Sequence, residues 1–271
     1  MLQSCPGGFK CPVESGNTYL LRLINSALDE ELFFKVAGQK LTVVEVDDTY
    51  VKPFKIDTVV LAPGQTTNVL ISAVKRSDKY STTLATILTA PPPKNATAVA
   101  KSFIDSLRAL NSKQFPASVP QEIDHDLYFT VELGVNPCPT CKAVNGSRVV
   151  AAINNVTFVM PTTALLQAHY FNISGVFTAD FPSKPPYMFN YSGTPPANLQ
   201  TRNGTKVFRL VYNSTVQLVL QDTGIIAPEN HPIHLHGFNF FAVGKGLGNY
   251  NPKRILKHSI SLILLKGTHS I

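Results

Sequence analysis

Residues 231–237 read His-Pro-Ile-His-Leu-His-Gly and hold three of the chain's seven histidines within six positions. Neutral imidazole nitrogens are ligands for Cu, Zn, Fe and Ni, so metal binding is the chemistry this cluster suits, and the spacing alone does not name the metal. On a strand, the two-residue period would send His234 and His236 to one face and Leu235 to the other, so two imidazoles would converge. His231 stands three positions earlier, next to Pro232, whose ring fixes φ and removes an N–H. Its imidazole can therefore address a second site beside the first. Three polar histidines near a strand end is the plainer alternative, but it leaves their crowding unexplained.

Two other residue sets carry chemistry. Cys5, Cys11, Cys138 and Cys141 make an even count, and Cys138-Pro139-Thr140-Cys141 is a C-x-x-C. That spacing fits a redox motif, half a zinc site or a disulfide. Zinc needs four ligands, and no second close pair with a nearby histidine is present, so structural disulfides are expected with their partners open. Asn-x-Ser/Thr acceptors begin at Asn95, Asn145, Asn155, Asn172, Asn190, Asn203 and Asn213, where composition predicts about three. The excess favours a glycosylated, secreted protein. Residues 1–7 lack the basic and apolar regions of an export signal and taken alone argue for the cytosol, a conflict that suggests a truncated chain.

The elements that must position these residues follow from composition and pattern. At 271 residues, 44% hydrophobic and 15% charged, the chain has enough apolar surface for a core and is not a disordered chain. Its net charge of +7 comes from scattered lysines and arginines, with no run longer than Lys75-Arg76 or Lys253-Arg254. A nucleic-acid partner is therefore not expected. No stretch reaches the roughly 18–20 apolar residues of a membrane span. Residues 19–24, 32–37, 40–46, 56–61 and 68–71 read as short strands separated by turns at Gly38-Gln39, Asp47-Asp48 and Pro63-Gly64, which indicates an antiparallel sandwich or barrel. Pro91-Pro92-Pro93 opens a linker, and Val99, Phe103, Leu107 and Leu110 recur at helical intervals, as an amphipathic interdomain helix requires. Further strands are expected at 127–133, 149–153, 207–212, 216–221 and 239–243. The expected division is 1–90, a linker over 91–124, 125–254, and a tail at 255–271.

The stretch His231–Gly237, followed by Phe238-Asn239-Phe240-Phe241-Ala242-Val243-Gly244, resembles the third-domain histidine motif of plant laccases, the blue multicopper oxidases. Leu32-Phe33-Phe34, 41–46, 62–69, 136–141, 153–167, 195–204 and 221–230 are similar to that family as well, so the resemblance spans most of 13–252. It implies an all-β chain made of cupredoxin-like Greek-key β-sandwich domains, here two incomplete ones joined by a linker with one helix. It further implies copper as cofactor, with His231 on the type 1 copper, His234 on the type 2 copper and His236 on one copper of the type 3 pair. The activity implied is one-electron oxidation of phenolic, lignin-related compounds in the apoplast with reduction of O2 to water. Phenols give single electrons while O2 takes four, which is why such enzymes store and conduct charge.

The chain also departs from that pattern. The family's other His-x-His pairs and its His-Cys-His motif are absent, no tryptophan is present, and the stretch between Tyr80 and Thr89 is shorter than the family's. After Lys253 the resemblance stops, yet codons compatible with residues 258–269 read in a neighbouring frame as a laccase-like segment. Residues 255–271 are therefore expected to be a frameshifted tail without a stable packed role. Three imidazoles cannot complete a mononuclear and a trinuclear site, so the chain alone is expected to be catalytically incompetent. The alternative is a non-catalytic, glycosylated β-sandwich module, or the product of a pseudogene, held to acidic wall polysaccharide by its positive charge.

Overall fold

Alternation of apolar and polar residues builds the first part of the chain. In this computed structural model, β1 (Thr18–Ile24), β2 (Leu32–Phe34), β3 (Leu41–Val46), β4 (Thr49–Ile56), β5 (Val59–Leu61) and β6 (Thr66–Ser72) are followed by α1 (Thr97–Ser106). The described residues are 12–28, 30–73, 92–93, 96–141, 146–188, 190–226, 231, 233, 235, 238–246, 248–251 and, as backbone only, 261–266. The chain divides into two units, Met1–Ser118 and Val119–Ile271. In the first, an antiparallel sheet runs in the order β1-β6-β3-β4 beside a separate β2-β5 pair. Leu41, Val43, Val59 and Val69 are fully buried between them. Phe103 of α1, only 2% exposed, joins the same cluster, so the helix expected as an interdomain connector packs into the core of the first unit.

The strand β4 was not expected from sequence. Its Pro53 and two lysines weaken the strand signal, and the structure explains them: β4 lies at the sheet edge, where a missing N–H costs least. Asp47, with φ +51°, turns the chain between β3 and β4, and its carboxylate accepts the Thr66 N–H at 3.0 Å.

The second unit contains β7 (His125–Pro137), β8 (Ser147–Ile153), β9 (Val156–Phe158), α2 (Leu165–Tyr170), β10 (Arg202–Gly204), β11 (Thr215–Asp222), β12 (Phe240–Gly244) and β13 (Ser261–Lys266). They form one sheet in the order β10-β9-β8-β7-β11-β13-β12. Its pairs are antiparallel except β7–β11 and β9–β10, which are parallel. Asn154 and Asn155, at φ +49° and +62°, make the two-residue β8–β9 turn, a left-handed conformation that asparagine tolerates. Cys138 and Cys141 are joined by a disulfide across the turn after β7, where the Cys141 N–H donates to the Cys138 carbonyl at 2.9 Å. Cys5 and Cys11 lie outside the described residues.

One expectation is corrected here. Residues 207–212 form no strand: the Val207 N–H donates to the Thr178 carbonyl at 2.9 Å and the Val207 carbonyl accepts the Phe181 N–H at 3.3 Å without a ladder following, and Val211 and Tyr212 face solvent. Within the expected tail 255–271, the backbone of Ser261–Lys266 pairs with β11 on one side and β12 on the other. Among the described residues, no helix is long and apolar enough to cross a membrane.

Candidate metal centre

The histidine segment lies in the connection between β11 and β12, and the start of that connection is tied down by polar residues at the end of β11. Gln221, 6% exposed, donates from Nε2 to the Asp222 carbonyl at 2.8 Å and to the Gly248 carbonyl at 3.1 Å. Its Oε1 accepts the Tyr250 N–H at 2.8 Å. Thr223 donates its hydroxyl to the Val131 carbonyl at 3.0 Å and its N–H to the Asp222 carboxylate at 2.8 Å. The Gly224 N–H reaches the Tyr191 carbonyl at 3.1 Å. The connection therefore leaves β11 from a position fixed by β7 and by the chain on the far side of β12.

Tyrosines pack beneath this anchor. Tyr128, Tyr191 and Val219 are buried together, with Tyr250 against them. The Tyr128 ring meets Tyr191 at 6.2 Å edge-on and Tyr250 at 5.5 Å, geometries that suit the aromatic quadrupole. Burial pushes the Tyr128 phenol well above its ordinary range, and Tyr191 adds to the effect. Burial, then the negative charge of Asp126, raises Tyr250 as well. Both phenols stay neutral at physiological pH and act as packing.

His231 is exposed on a stretch without regular structure, Ile233 is 43% exposed and Leu235 is half-buried. Residues 231, 233 and 235 are not in a strand, and β12 begins at Phe240, within the run expected at 239–243. Pro232 offers no N–H to a ladder, which disfavours a paired strand there. His234 and His236 lie outside the described residues. Among the described residues, no group of three or more His, Cys, Asp or Glu side chains is placed to hold a metal ion. Imidazole donors suit copper by type, and of the three histidines only His231 lies among the described residues.

Sequence reasoning missed Gln221, Thr223 and the tyrosine cluster. One signal was available: Gln221 follows Val219 on the buried side of β11, and a polar residue at an apolar register position has to be hydrogen-bonded. Elsewhere in this unit, Glu132 is shifted upward by burial, partly offset by the Asn155 N–H that donates to it at 2.6 Å. An open cleft of about 400 Å³ lies beside α2, lined by Leu165, Leu166, His169, Phe177, Phe208 and Leu210.

Two family models, both described as multicopper oxidase, match residues 6–102 and 170–262. Laccase-4 of Arabidopsis thaliana is 61% identical over 279 residues, covering 92% of this chain and 50% of that protein. Laccase-22 of Oryza sativa subsp. japonica is 56% identical over 280 residues, covering 92% of this chain and 49% of that protein. The chain thus spans about half the length of the curated relatives it matches. The 279 aligned positions exceed the 271 residues of the whole chain, so Laccase-4 holds inserted residues that this chain lacks. Among solved structures, Fet3p, a multicopper oxidase that functions in iron import, superposes with a TM-score of 0.57 at 16% identity, over 94% of this chain and 51% of its own. The laccase from Botrytis aclada gives 0.55 at 18% identity, over 97% and 49%. At such identities the likeness concerns the fold, which is the cupredoxin-like β-sandwich arrangement of these proteins.

Proposed function

Because the chain belongs to the multicopper oxidase family, on its plant laccase branch, we propose that it represents about half of a laccase that oxidises phenolic, lignin-related compounds and passes their electrons to O2. The observation that carries this reading is the 61% identity to Laccase-4 together with the three histidines of 231–236. His231, His234 and His236 are the proposed copper ligands, with His231 on the mononuclear type 1 site, His234 on the type 2 copper and His236 on the type 3 pair. Copper bound there supplies one-electron redox chemistry. The chain's own contribution is positional: a single short segment reaching two sites fixes their separation, and the connection that carries it starts at Gln221 and Thr223, which are tied to residues 248–250 and to β7. Each site needs ligands beyond these three, so this chain by itself is proposed to be inactive.

Seven glycosylation acceptors support a secreted, apoplastic location. The charge of +7 supports a second reading, weak binding to acidic wall polysaccharide, which 1 M salt would abolish through screening.

A graft tests the ligand roles. Residues 223–244 of this chain, placed in the corresponding stretch of Laccase-4, are expected to preserve blue absorption and phenol turnover. His231→Ala within the graft is expected to remove the blue band and lower turnover by at least about a thousandfold, as loss of a ligand to an electron-entry site implies. A folded graft that stays colourless with cupric ion, or a His231→Ala graft that stays blue, overturns the assignment.

A further inference from the structure

The short helix α2 ends in an arrangement that the proposed function does not use. The Ile173 N–H donates to the Ala168 carbonyl at 2.9 Å and the Asn172 N–H to the His169 carbonyl at 3.4 Å. With Asn172 at φ +53°, these bonds form a Schellman stop, in which the left-handed residue is usually glycine and sometimes asparagine. Asn172 is also the first residue of Asn172-Ile173-Ser174, an N-glycosylation acceptor. Ala168, 1% exposed, anchors the helix on its inner side. The outer side carries Tyr170, 80% exposed, and Phe171, 66% exposed, whose rings meet edge-on at 5.2 Å. Two large aromatic side chains therefore stand exposed and in contact with each other directly before an acceptor asparagine.

The other described acceptors are placed differently. Asn190 is tied through its Oδ1, which accepts from Asn249 Nδ2 at 2.5 Å and from the Ser192 hydroxyl at 3.1 Å. Asn203 accepts from Asn136 Nδ2 at 3.2 Å, and Asn155 is half-buried in the β8–β9 turn. Asn172 is exposed, at the left-handed residue of the helix stop. Asn213 is likewise exposed at φ +61°, but it follows a single aromatic residue.

We propose that Asn172 carries an N-linked glycan whose first sugar packs on the Tyr170 and Phe171 rings and covers them; this rests on the reading of the chain as a secreted protein. The donor is a lipid-linked oligosaccharide pyrophosphate. A bond forms from Asn172 Nδ2 to the anomeric carbon, the bond from that carbon to the phosphate oxygen breaks, the lipid pyrophosphate leaves, and the amide gives up one proton to base. No oxidation is involved. The C–H face of a pyranose ring then meets the negative face of an aromatic ring, an attraction of the same origin as aromatic edge-to-face packing.

The test uses the full chain, secreted from plant cells behind an added export leader. Glycopeptide mass spectrometry is expected to find Asn172 occupied. Tyr170→Ala is expected to lower Tm by about 2–4 °C in the glycosylated chain and to leave it unchanged in an Asn172→Gln background. Hydroxyl-radical footprinting is expected to find Tyr170 and Phe171 protected only when the sugar is present. An unmodified Asn172 beside occupied acceptors elsewhere overturns this inference alone. A secreted chain with no glycan at any acceptor overturns the secreted reading and, with it, this one. Equal Tm losses in both backgrounds, or rings oxidised at the same rate with and without sugar, overturn the packing.

Discussion

Asn154 shows how much one turn residue can hold. It is 1% exposed, and its Nδ2 donates to the carbonyls of Tyr128 and Pro182, each at 3.0 Å. Its Oδ1 accepts the Thr130 N–H at 2.8 Å and the Thr130 hydroxyl at 3.2 Å. Asn154→Ala strands those four groups away from water and is expected to cost about 3 kcal/mol, read as a lower urea midpoint with an unchanged m-value. Glu132 makes the opposite kind of prediction. Its carboxyl is raised by burial, so between the unfolded and folded pKa values the folded state holds more protons than the unfolded state. Its contribution to stability is fully present below the ordinary glutamate value and declines as pH rises through the folded one. Glu132→Gln keeps an oxygen for the Asn155 N–H and is expected to flatten that decline, measured as Tm against pH from 4 to 8. At this scale the histidines are legible because residue type alone carries their chemistry, whereas Asn154 reads only as a turn former. Its four partners come from β7 and from Pro182, and no local pattern names them.

Between elements, close approach decides what is allowed. A Cβ on Gly134 of β7 would lie 2.3 Å from Thr201 Cγ2 and 2.8 Å from the Leu199 carbonyl oxygen. The strand and the 199–201 segment are drawn together by the Val135 N–H to Leu199 carbonyl bond at 2.9 Å and by Asn136, which bonds Thr201 at 2.8 Å through both ends of its amide. Gly134→Ala is therefore expected to cost about 2–3 kcal/mol, followed by denaturant unfolding. Adding Thr201→Ser removes the methyl, keeps the hydroxyl and leaves the backbone oxygen in place, so rescue is expected to be partial; full rescue would mean that Leu199 contributes no clash. Most strands with clear apolar alternation, β1, β3, β6, β7 and β11, were legible in sequence within a few residues. β4 was hidden by its proline and lysines, and α2 by its length, six residues, too short for helical periodicity to register. The 207–212 run misleads for the converse reason: β-prone residues without a neighbouring strand to pair with remain irregular.

For the molecule as a whole, two buried clusters among the described residues, one in each unit, are built from different residues. Leu41, Val43, Val51, Val59, Val60, Leu61, Val69 and Phe103 form one in the first unit, and Tyr128, Tyr191 and Val219 form the other in the second. Phe103 is the largest side chain in the first cluster, 2% exposed, and it meets Phe54 at 6.1 Å. Truncating it leaves a cavity that strands β3, β5 and β6 cannot close without moving their ladders, so Phe103→Ala is expected to cost about 3–5 kcal/mol. Because no residue is shared between the clusters, the loss should be local. Hydrogen exchange under native conditions is expected to accelerate at Leu41, Val43, Val59 and Val69 while amides of β7 and β11, such as Leu127 and Val219, keep their protection. Acceleration of equal size in both sets would show instead that α1 stabilises the chain as one cooperative body, and the sequence-based view of that helix as a connector between domains would then describe its energetics better than its packing does.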